Sequence, residues 1–210
     1  CDEYLSHSPF TPTDKENWRR YTEKIIHSCH TKLEKPKSSD QQQLQGEDNL
    51  TLYKPKQQMG IVIQKEDKLI DLLKIITTAA ICQTPLWIRI PPQWKEWTYQ
   101  PYRLFNETTF PTKQLACLIK TPIQFSTHSN QTLKKHLKTV PISHIRFLSP
   151  PTDQLLKHAQ NHRMTTEVSP IIENEEIELL SYLQEISLSH RYHRYGHLGI
   201  RDHETRRPIE

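Results

Sequence analysis

Glycine is scarce, at four residues in a chain of 210. That scarcity excludes several chemistries together. A dinucleotide fold of the usual type needs glycines after its first strand, so that backbone N–H groups can approach the pyrophosphate. No such cluster exists here, and P-loop, G-x-S-x-G and H-E-x-x-H patterns are missing as well. The four cysteines, Cys1, Cys29, Cys82 and Cys117, stand far apart and form no C-x-x-C pair. Apolar neighbours around the last three read as small buried hydrophobes in a reducing compartment. No apolar run approaches the roughly 20 residues that span a bilayer, so a soluble cytoplasmic protein is expected. One-sided charge is lacking too. With 28 basic against 24 acidic residues the net charge is +4, far from the dense basic field of a nucleic-acid binder. Only 34% of residues are apolar, which predicts a modest core with polar arms outside it. The chain opens on Cys1 with no apolar leader behind it, so a fragment or processed product is expected.

What is present is an alternation of strands and helices. Thr13 or Asp14 is expected to cap a helix running to about Leu33, with Trp18, Tyr21, Ile25, Cys29 and Leu33 in one apolar stripe. Pro36 stops it, and residues 37–46 read as a polar linker. Gly60-Ile61-Val62-Ile63-Gln64 is a buried-strand pattern. Asp67 is expected to cap a helix on which Leu69, Leu72, Leu73, Ile76, Ala79 and Ala80 share a face. Leu86-Trp87-Ile88-Arg89-Ile90 is a second strand, ended by Pro91-Pro92. Strand, helix and strand of these lengths make a right-handed parallel βαβ unit. Further on, Leu115–Ile119 and His144–Leu148 read as strands, Leu133 and Leu137 as a short helix, Leu155, Leu156 and Ala159 as another, and Glu167-Val168 as a last strand. The whole reads as an α/β fold, a Rossmann-like parallel sheet of about five strands. A final helix is expected from Asn174, with acids in its first turn. Leu179, Tyr182, Leu183 and Ile186 form its packing stripe, Ser187 and Ser189 weaken it, and Gly196 stops it.

Few constellations carry chemistry. The first βα turn, Gln64-Lys65-Glu66-Asp67, puts two acids where a phosphate would sit, which argues against a nucleotide there. His190, His193 and His197 have zinc-ligand spacing on a helix. Gly196 and Gly199 argue that the helix has ended, and no Cys or carboxylate completes the set, so no metal is assigned. Cys29, flanked by His27 and His30, lies on the apolar stripe and reads as a packed thiol rather than a nucleophile. The run Arg191-Tyr192-His193-Arg194-Tyr195 suits stacking on single-stranded nucleic acid. It suits a protein surface equally, and the mild net charge favours the latter.

The stretch from Tyr182 to Gly199 resembles the C-terminal motif of long bacterial proline utilization A proteins. Those are bifunctional enzymes joining an FAD-dependent proline dehydrogenase to an NAD-dependent L-glutamate γ-semialdehyde dehydrogenase. The motif positions retained are Leu183, Glu185, Ser187, Ser189, His193, Arg194, Tyr195 and Gly196, with departures at Gln184, Ile186 and His197. Asp2-x-Tyr4-Leu5 and the run from Glu47 through Tyr53, Pro55, Gly60-Ile61-Val62 and Pro85-Leu86 to Pro91-Pro92 are similar to parts of aldehyde-dehydrogenase-like folds. The resemblance implies a degenerate aldehyde-dehydrogenase-like domain that lids the dehydrogenase site. Ile90-Pro91 stands where true aldehyde dehydrogenases have a cofactor-serving Lys-Pro, and no catalytic Cys or Glu motif is matched. It therefore implies no cofactor held by this domain, with NAD and FAD belonging to the parent enzyme. The implied partner is an aldehyde-dehydrogenase catalytic module of the same or a split chain. Glu185, Ser187, Ser189, His193, Arg194, Tyr195 and Gly196 are the implied docking residues. The expected organisation is a helix and linker over 1–45, the α/β domain over 46–172, and a C-terminal helix with docking motif over 173–210.

Overall fold

The computed structural model describes residues 10–33, 44–92, 121–127, 129–138 and 142–192. The first helix, α1, spans Pro12–Leu33. Its cap is Thr11 rather than Thr13 or Asp14. The Thr11 hydroxyl accepts from the Asp14 N–H at 3.1 Å, and the Asp14 carboxylate takes the Thr11 N–H at 3.0 Å. This is a capping box with Pro12 at the first helical position, where its missing N–H costs nothing. Trp18, Tyr21 and Ile25 are buried along the expected stripe. The polar tips of its aromatics are satisfied by the second helix, α2 (Leu69–Ile81). Trp18 Nε1 donates to Thr77 Oγ1 at 2.8 Å, and the Tyr21 hydroxyl meets Thr78 Oγ1 at 2.7 Å. Both threonine hydroxyls already donate one turn back, to Leu73 O and Lys74 O. They therefore serve as acceptors toward α1, and two large aromatics are buried with no orphaned donor.

Among the described residues five short strands build a parallel sheet: β2 (Met59–Val62), β3 (Leu86–Arg89), β4 (Ile123–Ser126), β5 (His144–Phe147) and β6 (Thr165–Val168). Their order is β4-β3-β2-β5-β6, the first five positions of a doubly wound Rossmann-like sheet. The alternation of side chains divides the core. Met59, Ile61, Leu86 and Ile88 point to the side of α1, α2 and Leu179. Val62, Trp87, Ile145 and Phe147 pack with Leu133 of α3 (Asn130–His136), with Leu137 at its C-cap, and with Leu155 and Ala159 of α4 (Asp153–Asn161). A sheet covered on both faces explains why its strands read as apolar runs rather than as an alternating pattern. Gly60 marks a close approach, because a Cβ there would meet Ile142 Cγ2 at 3.1 Å.

The strand expected at Leu115–Ile119 lies outside the described residues, and the described neighbour of β3 is β4. Two further expectations are corrected. The N-cap of α2 is Lys68, with no side-chain bond, and Asp67 organises the preceding turn instead. The last helix, α5, spans only Glu175–Leu180, capped by Asn174 Oδ1 on the N–H groups of Glu176 and Ile177 at 3.0 and 3.2 Å. It does not run on through Ile186. Leu183–Arg191 is instead a strand, β7, pairing antiparallel with β1 (Glu47–Pro55) as a separate two-stranded ribbon. Ile186 and Leu188 alternate with Ser187 and Ser189, a period of two that suits a strand and offers a helix little. Opposite them, Leu50 and Leu52 alternate with Thr51 and Tyr53.

Candidate functional site

The ribbon is rooted in a densely hydrogen-bonded part of the core. Arg146 and Glu178 are both fully buried. The guanidinium grips the carboxylate in a fork, Nη1 to Oε1 at 2.6 Å and Nη2 to Oε2 at 3.0 Å. Nη2 also donates to Pro170 O at 2.6 Å, and Nε lies 3.2 Å from the Glu167 carboxylate. Burial works to lower the pKa of Arg146, but the bonds to Glu178 and the nearby carboxylates overcome it and raise the pKa above its ordinary value. Glu178 further accepts from the Tyr182 hydroxyl at 3.1 Å and from the Ile172 N–H at 2.9 Å. One buried ion pair thus fixes the 169–172 loop, the short α5 and Tyr182 together. Desolvation is repaid here by saturating bonds in fixed geometry.

From Tyr182 the network reaches both strands of the ribbon. The Tyr182 carbonyl accepts from the Lys56 N–H at 3.2 Å and from Thr84 Oγ1 at 2.8 Å. The Lys56 ammonium donates to Ser181 O at 2.5 Å, and burial lowers its pKa. The far end is tied as well. Gly46 takes the positive φ of 85° that the turn into β1 requires. Gly46 N donates to the Tyr192 hydroxyl, Tyr192 N donates back to Gly46 O, both at 3.1 Å, and Arg191 reaches Glu47 at 3.2 Å.

Between these ties the register sorts the docking candidates. Glu185, Ser187 and Ser189 stand opposite Tyr53, Thr51 and Asn49 on one face. All three are exposed, and Glu185 accepts from the Tyr53 hydroxyl at 3.3 Å. Ile186 and Leu188 stand opposite Leu52 and Leu50 on the other face, with Leu188 51% exposed. The departures from the family motif at Gln184 and Ile186 therefore fall on the face away from the retained Glu and Ser positions. His193, Arg194, Tyr195 and Gly196 lie outside the described residues, as do His193 and His197 of the spaced histidines, while His190 faces Asp48 in the ladder. Sequence reasoning missed β1 and with it every cross-strand contact. The alternation of Leu50 and Leu52 with Thr51 and Tyr53 is the signal that would have found it.

The other place to look for chemistry is the crevice where the strand order reverses, at the carboxyl ends of β2 and β5. Its own side chains bond to one another across it. Gln64 Nε2 donates to Ser149 O at 2.8 Å and to Pro150 O at 3.0 Å. The Asp67 carboxylate accepts from the Gln64 N–H at 2.7 Å and from the Ser149 hydroxyl. The backbone donor nearest to a would-be phosphate is thus held by an acid. Ile90 is buried at the end of the next strand. Neither described cysteine has the setting of a nucleophile. Cys82 is buried, which pushes its thiol pKa well up, and Cys29 Sγ lies 3.9 Å from Ile81 O on the packed side of α1. Among the described residues no group of three or more His, Cys, Asp and Glu is arranged to hold a metal ion, and no helix is long and apolar enough to cross a membrane.

No family model matches the chain, and no curated protein does. Solved structures match it at low identity and over part of their own length. Proline utilization A from Corynebacterium freiburgense is 17% identical with a TM-score of 0.49, over 92% of this chain and 16% of that one. A 3,6-anhydro-L-galactose dehydrogenase in complex with NAP is 10% identical with a TM-score of 0.41, over 75% of this chain and 37% of that one. An NAD-dependent benzaldehyde dehydrogenase from Corynebacterium glutamicum is 13% identical with a TM-score of 0.39, over 75% and 39%. This chain thus spans about one sixth of the proline utilization A structure and under two fifths of the other two.

Proposed function

We propose that this chain is a non-catalytic lid, docking through the β1–β7 ribbon onto an aldehyde-dehydrogenase catalytic module of the same or a split chain. The parent enzyme is a cytoplasmic, bifunctional one that oxidises proline to glutamate with FAD and NAD. The observation that carries the reading is the ribbon itself. The motif residues Glu185, Ser187 and Ser189 lie exposed on one face of a strand whose two ends are clamped. Pre-ordering of this kind lowers the entropy lost on docking. The motif's remaining residues, His193, Arg194, Tyr195 and Gly196, follow directly in sequence, and Arg and Tyr are favoured anchors of protein interfaces. A lid needs a wall that excludes water, with no reactive group of its own. The mutual bonding of Gln64, Asp67 and Ser149 in the crevice suits that role, and in this reading NAD belongs to the module beneath. In this reading residues 1–45 join the lid to the catalytic module, 46–172 form the wall and 173–210 carry the clasp.

The test mixes the chain with a separately produced dehydrogenase module of a proline utilization A protein and follows complex formation and aldehyde oxidation. Arg194→Ala, and truncation after Ser189, are expected to weaken binding by about 2 kcal/mol or more, the loss typical of a central anchor. Unchanged binding and unchanged oxidation in both variants would refute the docking role.

A further inference from the structure

A second feature lies on α1, α2 and the loop before α5, and its argument does not depend on the docking role. A cleft of about 480 Å³ opens there, with Tyr21 and Lys24 from α1, Asp71 and Lys74 from α2, and Ile171 and Ile172 as its apolar wall. That volume is within the range of small-molecule sites. Of the other charged groups on its lining, Lys24 bridges to Glu175 at 3.0 Å, Arg20 bridges to Glu16 at 2.9 Å, and Glu173 adds a further acid.

The arrangement of charge inside it is unusual. Asp71 and Lys74 are one helical turn apart, a spacing at which opposite charges normally pair. Here the Lys74 ammonium is held over the Tyr21 ring, 5.3 Å from its centroid. Tyr21 is itself fixed by its hydroxyl bond to Thr78. Among the described residues no hydrogen bond or ion pair engages the Asp71 carboxylate. It is half-buried, and desolvation, offset in part by the charges of Lys74 and Lys68, raises its pKa. An acid left without a donor in a partly dry cleft works against folding and calls for a ligand that supplies one. A simple anion would satisfy Lys74 and repel Asp71, and a simple cation would do the reverse. The ligand that fits carries both charges a few ångströms apart beside an apolar group.

We propose that this cleft binds a free α-amino acid as its zwitterion, its ammonium on Asp71, its carboxylate on Lys74 and its apolar side chain along Ile171 and Ile172. Binding moves no proton and forms no covalent bond. The ligand neutralises two fixed, opposite charges that the helix keeps apart.

The probe is L-leucine, titrated into the whole chain by calorimetry and by chemical-shift mapping. N-acetyl-L-leucine lacks the ammonium and L-leucinamide the carboxylate, so each isolates one charge. Saturable L-leucine binding is expected, with both blocked compounds weaker by about tenfold or more, as loss of a charge-assisted bond implies. Asp71→Asn and Lys74→Met are each expected to produce the same loss while the circular dichroism spectrum is unchanged. No saturable binding by about 10 mM L-leucine, the regime of affinities too weak for a formed site, overturns the proposal. So does N-acetyl-L-leucine or L-leucinamide binding as well as L-leucine, or Asp71→Asn binding as well as the parent chain.

Discussion

Glu178→Ala is the most demanding test of how this fold is held. The carboxylate accepts four hydrogen bonds, two from Arg146 and one each from Tyr182 and Ile172. Removing it leaves a guanidinium of zero exposure whose partners among the described residues are then the half-buried Glu167 and two carbonyls, Ser169 O and Pro170 O. It also orphans the Tyr182 hydroxyl in the core. Breaking a buried pair on one side costs about 3–5 kcal/mol, a large share of the roughly 5–15 kcal/mol that holds a domain folded. In a chain of this size the melting temperature is expected to fall by about 10 °C. Glu178→Gln is expected to lose much of the same, because its amide N–H groups must face donors on Arg146 or Tyr182. Joint replacement by Arg146→Met and Glu178→Leu should recover most of the loss, since the uncompensated charge is then gone. Equilibrium urea unfolding followed by circular dichroism gives the free energies. Amide exchange on Leu183–Arg191 reports whether the ribbon loosens when its root is cut. A loss below about 1 kcal/mol for Glu178→Ala, the level of an exposed pair, would show that the network does not anchor the ribbon.

Gly60→Ala drives a Cβ to 3.1 Å from Ile142 Cγ2 and is expected to cost about 1–3 kcal/mol, partly relieved by adding Ile142→Val, both read from urea midpoints. Thr11→Ala removes the acceptor for the Asp14 N–H and should cost about 0.5–2 kcal/mol in the same assay. Asp71 sets a pH slope of known sign. Its folded-state pKa is raised above 3.8, so its contribution is most favourable at low pH and is lost as pH rises from about that value through the raised one. Asp71→Asn should therefore gain stability relative to the parent chain as pH rises through that window, and an unchanged difference between the two would sink the reading of an unpaired acid.

Much of the sheet could be read from order and composition. Val62, Trp87 and Ile145 sit in apolar runs because both sheet faces are covered, so the strands announce themselves without knowledge of their neighbours. The stripe on α1 and the apolar length of α2 are equally local. The candidate site was half visible. Glu185, Ser187 and Ser189 stand out by their resemblance to a motif, yet the local pattern puts them on a helix. The end of α5 is hidden from a local reading because Leu179, Tyr182 and Leu183 are buried at helix-like spacing although the chain extends from Leu183.

The chain's own order of residues determined a parallel α/β sheet, a capped first helix and the lack of a glycine-lined phosphate turn, because each depends on residues within a few positions of one another. Tertiary structure alone decided the rest. Glu47 and Arg191 meet across 144 positions, and Arg146 finds Glu178 across 32. The same Ile-Ser-Leu-Ser pattern becomes a strand only because Leu50 and Leu52 lie opposite to pair with it. Asp67 leaves its helix uncapped because Ser149, brought alongside by the sheet, makes the better donor. Side chains so far apart in sequence leave no periodicity to read, and their pairing exists only once the sheet has brought them together.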